Sequence, residues 1–304
     1  MVSRIARIEA IPVISPAGSA NDLDGTADTV IVKVHDEDGR VGFGEADAPP
    51  SVVKSFIDMP TAHLWSRNAG EILVGEDPVE IAGLWQKLYE GTFWPGRRGL
   101  GMHAISAIDI ALHDLAGKQL GLPAYKLMGG ARRTKLRPYC TIYPGLAQGR
   151  SIDDLMAEIF RQFDMALEAG FRAVKMEVLF YDLDTDLELI RRIGEGRKAL
   201  GDDILLAIDF GYRWHNWHDA LFVLERIADH NIFFAEAALQ HDDLAGHARL
   251  AERSAIRICG AEAAATRFEI REWLTVGKVG VVQPNIGRGG GLTEGAGVLD
   301  LFDQ

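Results

Sequence analysis

Three carboxylates end short apolar runs: Asp209 in LLAIDF, Glu236 in IFFAEA and Glu262 in IRICGAEA. They recur at intervals of 27 and 26 residues. That is room for one strand, one helix and two loops. Three successive βα units would set one acid at the same end of each neighbouring parallel strand. Carboxylates crowded in this way repel one another unless a cation holds them, and an all-oxygen ligand set suits Mg²⁺. Three unrelated surface acids at strand ends would give no reason for the matched intervals. The pattern points to a metal-dependent enzyme on a β/α barrel.

Lys175 and Glu177 fall at the end of another apolar run, FRAVKMEVLF. Period-two alternation puts both on one strand face, with Met176 on the other. A lysine there serves as a general base where neighbouring cations depress its pKa. The plain alternative is a Lys–Glu pair at a solvated strand end. Residues 281–293, VVQPNIGRGGGLT, run from a strand through a glycine-rich loop into a helix start, whose N–H groups can hold an anion. Many such loops are merely turns. His103 and His113 lie in an apolar helical run and read as packing or capping residues. His215 and His218, in GYRWHNWHDA after Asp209, read as part of a loop lining the site and the helix start that follows it.

Regular elements must position these groups. From about residue 134 the chain alternates strand and helix patterns. Strands are expected near 137–143, 172–178, 204–209, 232–236, 257–262 and 279–283. Helices are expected near 151–169, 184–199, 218–229, 243–254, 266–275 and 291–302. Six βα units imply a parallel sheet. Before them, Ile5–Ile14, Thr29–His35 and Arg40–Ala46 read as strands, and Pro78–Glu90, His103–Leu120 and Ala124–Met128 as helices. The polar tract at 15–25, SPAGSANDLDG, reads as a mobile loop. The fold class is therefore α/β, with an α+β domain over 1–133 and a TIM-type (β/α) barrel domain over 134–304. An eight-stranded barrel would need two more strands than the six visible. Six strands alone would leave a parallel-sheet edge bare, so a partner subunit or rearranged structure is expected to cover it.

The chain has 304 residues, 47% of them hydrophobic, enough for a sizeable core. A formal charge of −12 argues against electrostatic binding to nucleic acid or to an anionic membrane surface. Cys140 and Cys259, the only two cysteines, sit in apolar runs and read as buried thiols in a reducing compartment. The N-terminal stretch alternates like a strand and lacks the apolar core of a signal peptide. A cytoplasmic protein is expected.

The motifs VGFGEAD, HAISAIDIALHDLAGKQLGLPAYKLMGG, FRAVKMEV, DDILLAIDF, FFAEAALQHDDLAGHARLAE, ICGAEAAATRFE and VVQPNIGRGGGLTE, in this order, resemble the enolase superfamily, mandelate racemase subgroup. The resemblance implies an α+β capping domain, a modified β/α barrel and one Mg²⁺ held by Asp209, Glu236 and Glu262. It implies proton abstraction α to a carboxylate through an ene-diolate, ending in racemisation, cycloisomerisation or dehydration of a sugar acid. A small-molecule carboxylate substrate and a homo-oligomeric assembly are expected, with Lys175 and Glu177 as the catalytic candidates. The chain departs from the pattern in the proton-transfer residues, which leaves a metal-binding homologue without turnover as the alternative reading. Lys-x-Lys is replaced by Lys175-Met176-Glu177, which puts Glu177 where the second lysine acts as base. The aspartate ending the sixth strand is replaced by Asn285, and the histidine of a seventh strand is missing. Ala237 and Ala238 follow Glu236 where Glu-Pro is usual.

Overall fold

The computed structural model describes every residue except 1–2, 15–27, 47, 132, 148, 181–184 and 304. The 15–25 loop thus lies outside the described residues. The first part of the chain holds β1 (Ile5–Val13), β2 (Thr29–Asp36), β3 (Val41–Ala46), α1 (Pro50–Asp58), α2 (Ala69–Leu73), α3 (Ile81–Gly91), α4 (Phe93–Gly96), α5 (Leu100–Leu120) and α6 (Ala124–Leu127). Then follow β4 (Cys140–Ile142), α7 (Ile152–Glu168), β5 (Ala173–Glu177), α8 (Asp186–Leu200), β6 (Leu205–Asp209) and α9 (Trp217–Arg226). The last elements are β7 (Ile232–Glu236), α10 (Leu244–Arg253), β8 (Arg257–Gly260), α11 (Arg267–Thr275), β9 (Val281–Val282) and α12 (Gly291–Asp300). They form two compact units. One contains residues 1–134, 263–270 and 284–304; the other contains 135–262 and 271–283.

In the first unit β1, β2 and β3 pair antiparallel in sequence order. Alternation in TVIVKVHD buries Val30, Val32 and Val34 and leaves their neighbours half-exposed, as a sheet with one covered face requires. The cover is α5, with Ile105, Ile108, Leu112 and Leu115 in the core. Small residues let the two approach closely. A Cβ on Gly44 of β3 would fall 1.9 Å from the Ala107 carbonyl oxygen, so no larger residue fits there. Gly121 ends α5 at φ 65, the left-handed conformation favoured at helix C-termini.

In the second unit β4 to β9 form one parallel sheet in strict sequence order. The order never reverses, so the sheet lacks the switch point of a doubly wound fold and follows the continuous winding of a β/α barrel. The fold is mixed α/β, with a small antiparallel sheet first and a parallel α/β sheet after it. All six expected strands are present, and five are shorter than their sequence pattern; Ile232–Glu236 alone keeps its expected bounds. The first expected strand, 137–143, is regular only at Cys140–Ile142, flanked by Pro138 and Pro144, which cannot donate to a ladder. The expected strand 257–262 stops at Gly260, because Ala261 turns to φ 72 and leaves the pleat. Glu262 therefore lies beyond the strand. Among the described residues no helix is long and apolar enough to cross a membrane.

Candidate active site

Sheet register sets the site. Glu177 lies opposite Asp209, Asp209 opposite Glu236, and Glu236 opposite Cys259. In a parallel sheet such partners share a face, so three acids stand abreast at the C-terminal ends of β5, β6 and β7. Lys175 sits on the same face of β5, two residues before Glu177. Its Nζ donates to Asp209 Oδ2 at 3.0 Å and to Glu236 Oε2 at 2.9 Å. Met176, on the opposite face, points toward Gly196 of α8. Asp209 Oδ1 accepts from the Gly211 N–H at 3.0 Å, which fixes the carboxylate at the start of the following loop.

The electrostatics follow from burial. Burial alone disfavours a charged Lys175, but the Asp209 and Glu236 carboxylates outweigh it and hold the ammonium well above the usual lysine range. Burial, with the adjacent Asp209 charge, pushes Glu236 above the usual carboxylate range, and Lys175 offsets only part of this. Cys259, next in the row, is pushed well above the ordinary thiol range, chiefly by burial. The protein's own charged groups beside Lys175 are thus anions that raise its pKa, whereas neighbouring cations would lower it.

The backbone is strained beside these acids. Tyr212, Ala237 and Ala261 have φ of 61, 47 and 72, just past the ends of β6, β7 and β8. Each left-handed non-glycine residue costs about 1–3 kcal/mol, and such residues concentrate at functional sites. Cross-strand bonds hold two of them in place. The Tyr212 N–H donates to Ala237 O at 2.6 Å and the Trp214 N–H to Ala238 O at 3.1 Å. Gln240 Nε2 donates to Tyr212 O at 2.5 Å.

Asp209 and Glu236 converge on a single cationic group, so this pair of hard oxygen donors fits a cation at that point. Glu262 lies half-buried in the turn after β8. Among the described residues no three His, Cys, Asp or Glu side chains stand together as a ready ligand set. Asn285 builds a turn, its Oδ1 accepting from the Gly287 N–H at 2.9 Å. His215 and His218 are exposed, and His218 stacks on Trp217. The glycine-rich helix start does hold an anion, but one from the protein. Asp109 of α5 accepts from the Thr293 N–H at 3.0 Å and from its hydroxyl at 2.5 Å. The Gly290 N–H donates to Ser106 Oγ at 2.8 Å, and its carbonyl accepts from Trp85 Nε1 at 2.7 Å. His113 packs against Asp109, with Nδ1 2.9 Å from the Asp109 carbonyl oxygen.

Two residues of the site escaped sequence reading. The Tyr139 hydroxyl, just before β4, donates to Gln283 Oε1, just after β9, and Gln283 Nε2 reaches Cys259 Sγ at 3.2 Å. Lys175 Nζ lies 5.9 Å from the Tyr139 ring centre. Their only sequence signal was position at the flank of a strand.

Residues 4–129 match the model of the mandelate racemase/muconate lactonizing enzyme N-terminal domain, and residues 158–304 that of the enolase C-terminal domain-like family. The chain belongs to the mandelate racemase/muconate lactonizing enzyme family of the enolase superfamily. An arabinonate dehydratase of Saccharolobus solfataricus is 31% identical, over 87% of this chain and 67% of that protein. A 3,6-anhydro-alpha-L-galactonate cycloisomerase of Streptomyces coelicolor is 29% identical, over 87% and 68%. The chain spans about two thirds of the length of these curated relatives. Among solved structures of similar proteins is the 3,6-anhydro-D-galactonate cycloisomerase of Zobellia galactanivorans. It is 29% identical with a TM-score of 0.83, covering 99% of this chain and 77% of that one. A Streptomyces coelicolor racemase with bound magnesium is 26% identical with a TM-score of 0.82, covering 100% and 81%. Members of the mandelate racemase/muconate lactonizing enzyme family named among the relatives are thus lyases and isomerases.

Proposed function

We propose that this chain abstracts the proton α to the carboxylate of a sugar acid and removes water from it, with Mg²⁺ as cofactor. The observation that carries the reading is the convergence of Asp209 and Glu236 on one cationic point at neighbouring strand ends. The relatives named as dehydratases support the choice of reaction.

Asp209, Glu236 and Glu262 would hold the ion, which supplies Lewis-acid stabilisation of charge developing on a substrate carboxylate. Glu177 takes the α-proton, a carboxylate that register places opposite Asp209 on the same sheet face. Lys175 balances Asp209 and Glu236 until the ion takes its place, and then presents N–H donors on the same face. In the overall reaction a C–H bond breaks at the α-carbon and a C–O bond at the β-carbon. The β-hydroxyl leaves as water, and the enol product rearranges to a 2-oxo-3-deoxy acid. The strained turns at Tyr212, Ala237 and Ala261 hold the loop starts beside the acids. A homo-oligomer acting in the cytoplasm completes the proposal.

The test is a panel of sugar acids incubated with the purified chain and Mg²⁺ in deuterium oxide. Loss of water from at least one acid, with a 2-oxo acid formed, is the expected result. Racemisation or ring opening without water loss would select a different reaction of the same family. Neither exchange nor product, with Mg²⁺ bound, would remove the catalytic reading.

A further inference from the structure

A second candidate site lies in the first unit, among side chains that the proposed chemistry does not use. The loop before α2 displays Trp65, and the α3–α4 corner displays Phe93 and Trp94. They are 48%, 43% and 65% exposed, a large share for adjoining aromatic residues. The arrangement is built. The Trp94 N–H donates to the Trp65 carbonyl at 3.1 Å, and the two indoles lie 5.5 Å apart at 34°. The His63 ring meets Trp94 edge-on at 4.7 Å. Trp65, Phe93, Trp94 and Glu90 line a cavity of about 350 Å³. Glu90 accepts a 2.7 Å bond from Gln86 through Oε1 and has no ion-pair partner among the described residues.

Three aromatic faces and one carboxylate select a ligand class. An anion, including the sugar acid proposed above, meets the Glu90 charge, while the neighbouring Arg97 guanidinium is engaged by the Phe93 ring. A neutral polyol needs several hydrogen-bond partners, and the lining offers one carboxylate already partly engaged. An alkylated ammonium needs none, because its charge spreads over methyl groups that pack against ring faces. The chain already shows the preference: the Arg97 guanidinium sits 5.5 Å from the centre of the Phe93 ring. The net charge of −12 adds an attractive field for cations. We propose that the Trp65–Phe93–Trp94 cavity binds a small organic cation of the quaternary ammonium type, with Glu90 as its counter-charge.

The test titrates the full chain with choline and with 3,3-dimethylbutan-1-ol, its neutral carbon isostere, following tryptophan fluorescence and heat. Choline should bind saturably and at least about tenfold more tightly than the isostere, the scale of one to two cation–π contacts. Glu90→Gln should weaken choline about tenfold while leaving the isostere unchanged, and Trp94→Leu should abolish choline binding with the circular dichroism spectrum preserved. Equal binding of the two probes overturns the proposal in favour of plain apolar contact. Choline binding that survives Glu90→Gln and Trp94→Leu places it elsewhere and overturns the proposal too. Absence of saturation, with self-association that Trp94→Leu abolishes, assigns the surface to a second copy of the chain instead.

Discussion

Lys175 on β5 reaches across β6 to place its Nζ 2.9 Å from Glu236 Oε2 on β7, where the Glu236 side chain is only 2% exposed. Between them Lys175 also binds Asp209, so one ammonium balances two carboxylates. Removing one partner of a buried ion pair costs about 3–5 kcal/mol, because the remaining charge keeps its desolvation penalty. Lys175→Met should therefore lower the thermal midpoint of the metal-free chain by several degrees. Mg²⁺ should raise the midpoint more in the variant than in the parent, since the carboxylates then have no ammonium to release. Differential scanning fluorimetry in EDTA and in Mg²⁺ measures both effects. A variant as stable as the parent in EDTA would show that the pair contributes nothing to the fold.

The proposed ligand set can be tested one oxygen donor at a time. Asp209→Asn, Glu236→Gln and Glu262→Gln should each weaken Mg²⁺ binding by more than about tenfold, a loss that even changes to outer-shell partners can reach. Calorimetric titration of the full chain reads this without any substrate. An unchanged affinity in Glu262→Gln alone would assign the third position to another group and leave the other two ligands in place.

Local patterns announced the strands and helices because each element has its own period. The apolar runs ending at Asp209 and Glu236 are strands whose last residues are those acids. Glu262 was harder, because nothing in RICGAE marks Ala261 as the residue that leaves the pleat. The partners of Lys175 lie 34 and 61 residues away, so its surroundings depend on sheet order and register. Asp109 was hidden more completely. It sits fully buried in a helix that is apolar on most sides, and its partner Thr293 is 184 residues distant. The glycine-rich loop did signal a helix start that could hold an anion. It carried no sign that the anion would come from α5.

That clasp makes its own prediction. Asp109 is wholly buried and accepts both the Thr293 N–H and its hydroxyl, while Gly291, at φ 81, fits against it only for want of a Cβ. Asp109→Ala would leave the half-buried Thr293 donors without their acceptor, at up to about 1–3 kcal/mol in all. Chemical denaturation should show a loss on that scale, and Thr293→Val should lose less, because its backbone N–H still bonds to Asp109. A neutral result for Asp109→Ala would mean that water replaces the carboxylate.

The assignment of proton transfer to Glu177 separates from that of Lys175 by kinetics. General acid–base groups contribute about 10²–10⁴ in rate. On an acid found by the substrate panel, Glu177→Gln should lower kcat by that factor and slow solvent deuterium exchange at the α-carbon equally. Mg²⁺ affinity should stay unchanged. If exchange persists in Glu177→Gln and disappears in Lys175→Met, the lysine is the base.

The last prediction concerns acid stability on α7. Glu158 accepts from Arg161 Nε at 2.8 Å and from Gln162 Nε2 at 2.7 Å. Gln162 in turn brackets the backbone of Tyr143, just after β4, accepting from its N–H at 3.0 Å and donating to its carbonyl at 2.7 Å. The Arg161 hydrogen bond, followed by that of Gln162, holds the Glu158 carboxyl at about 2, below its ordinary value of 4.5. A carboxylate with a lowered folded-state pKa stabilises the fold fully above its unfolded pKa and loses that contribution as pH falls toward the folded value. The stability difference between the parent and Glu158→Gln should therefore be constant above about pH 5 and shrink between 4.5 and 2. Its size should be modest and should fall with added salt, because Arg161 is largely exposed. Urea unfolding of both proteins across that pH range measures the difference. A gap that widens on acidification would reverse the sign and rule out the pairing as its source.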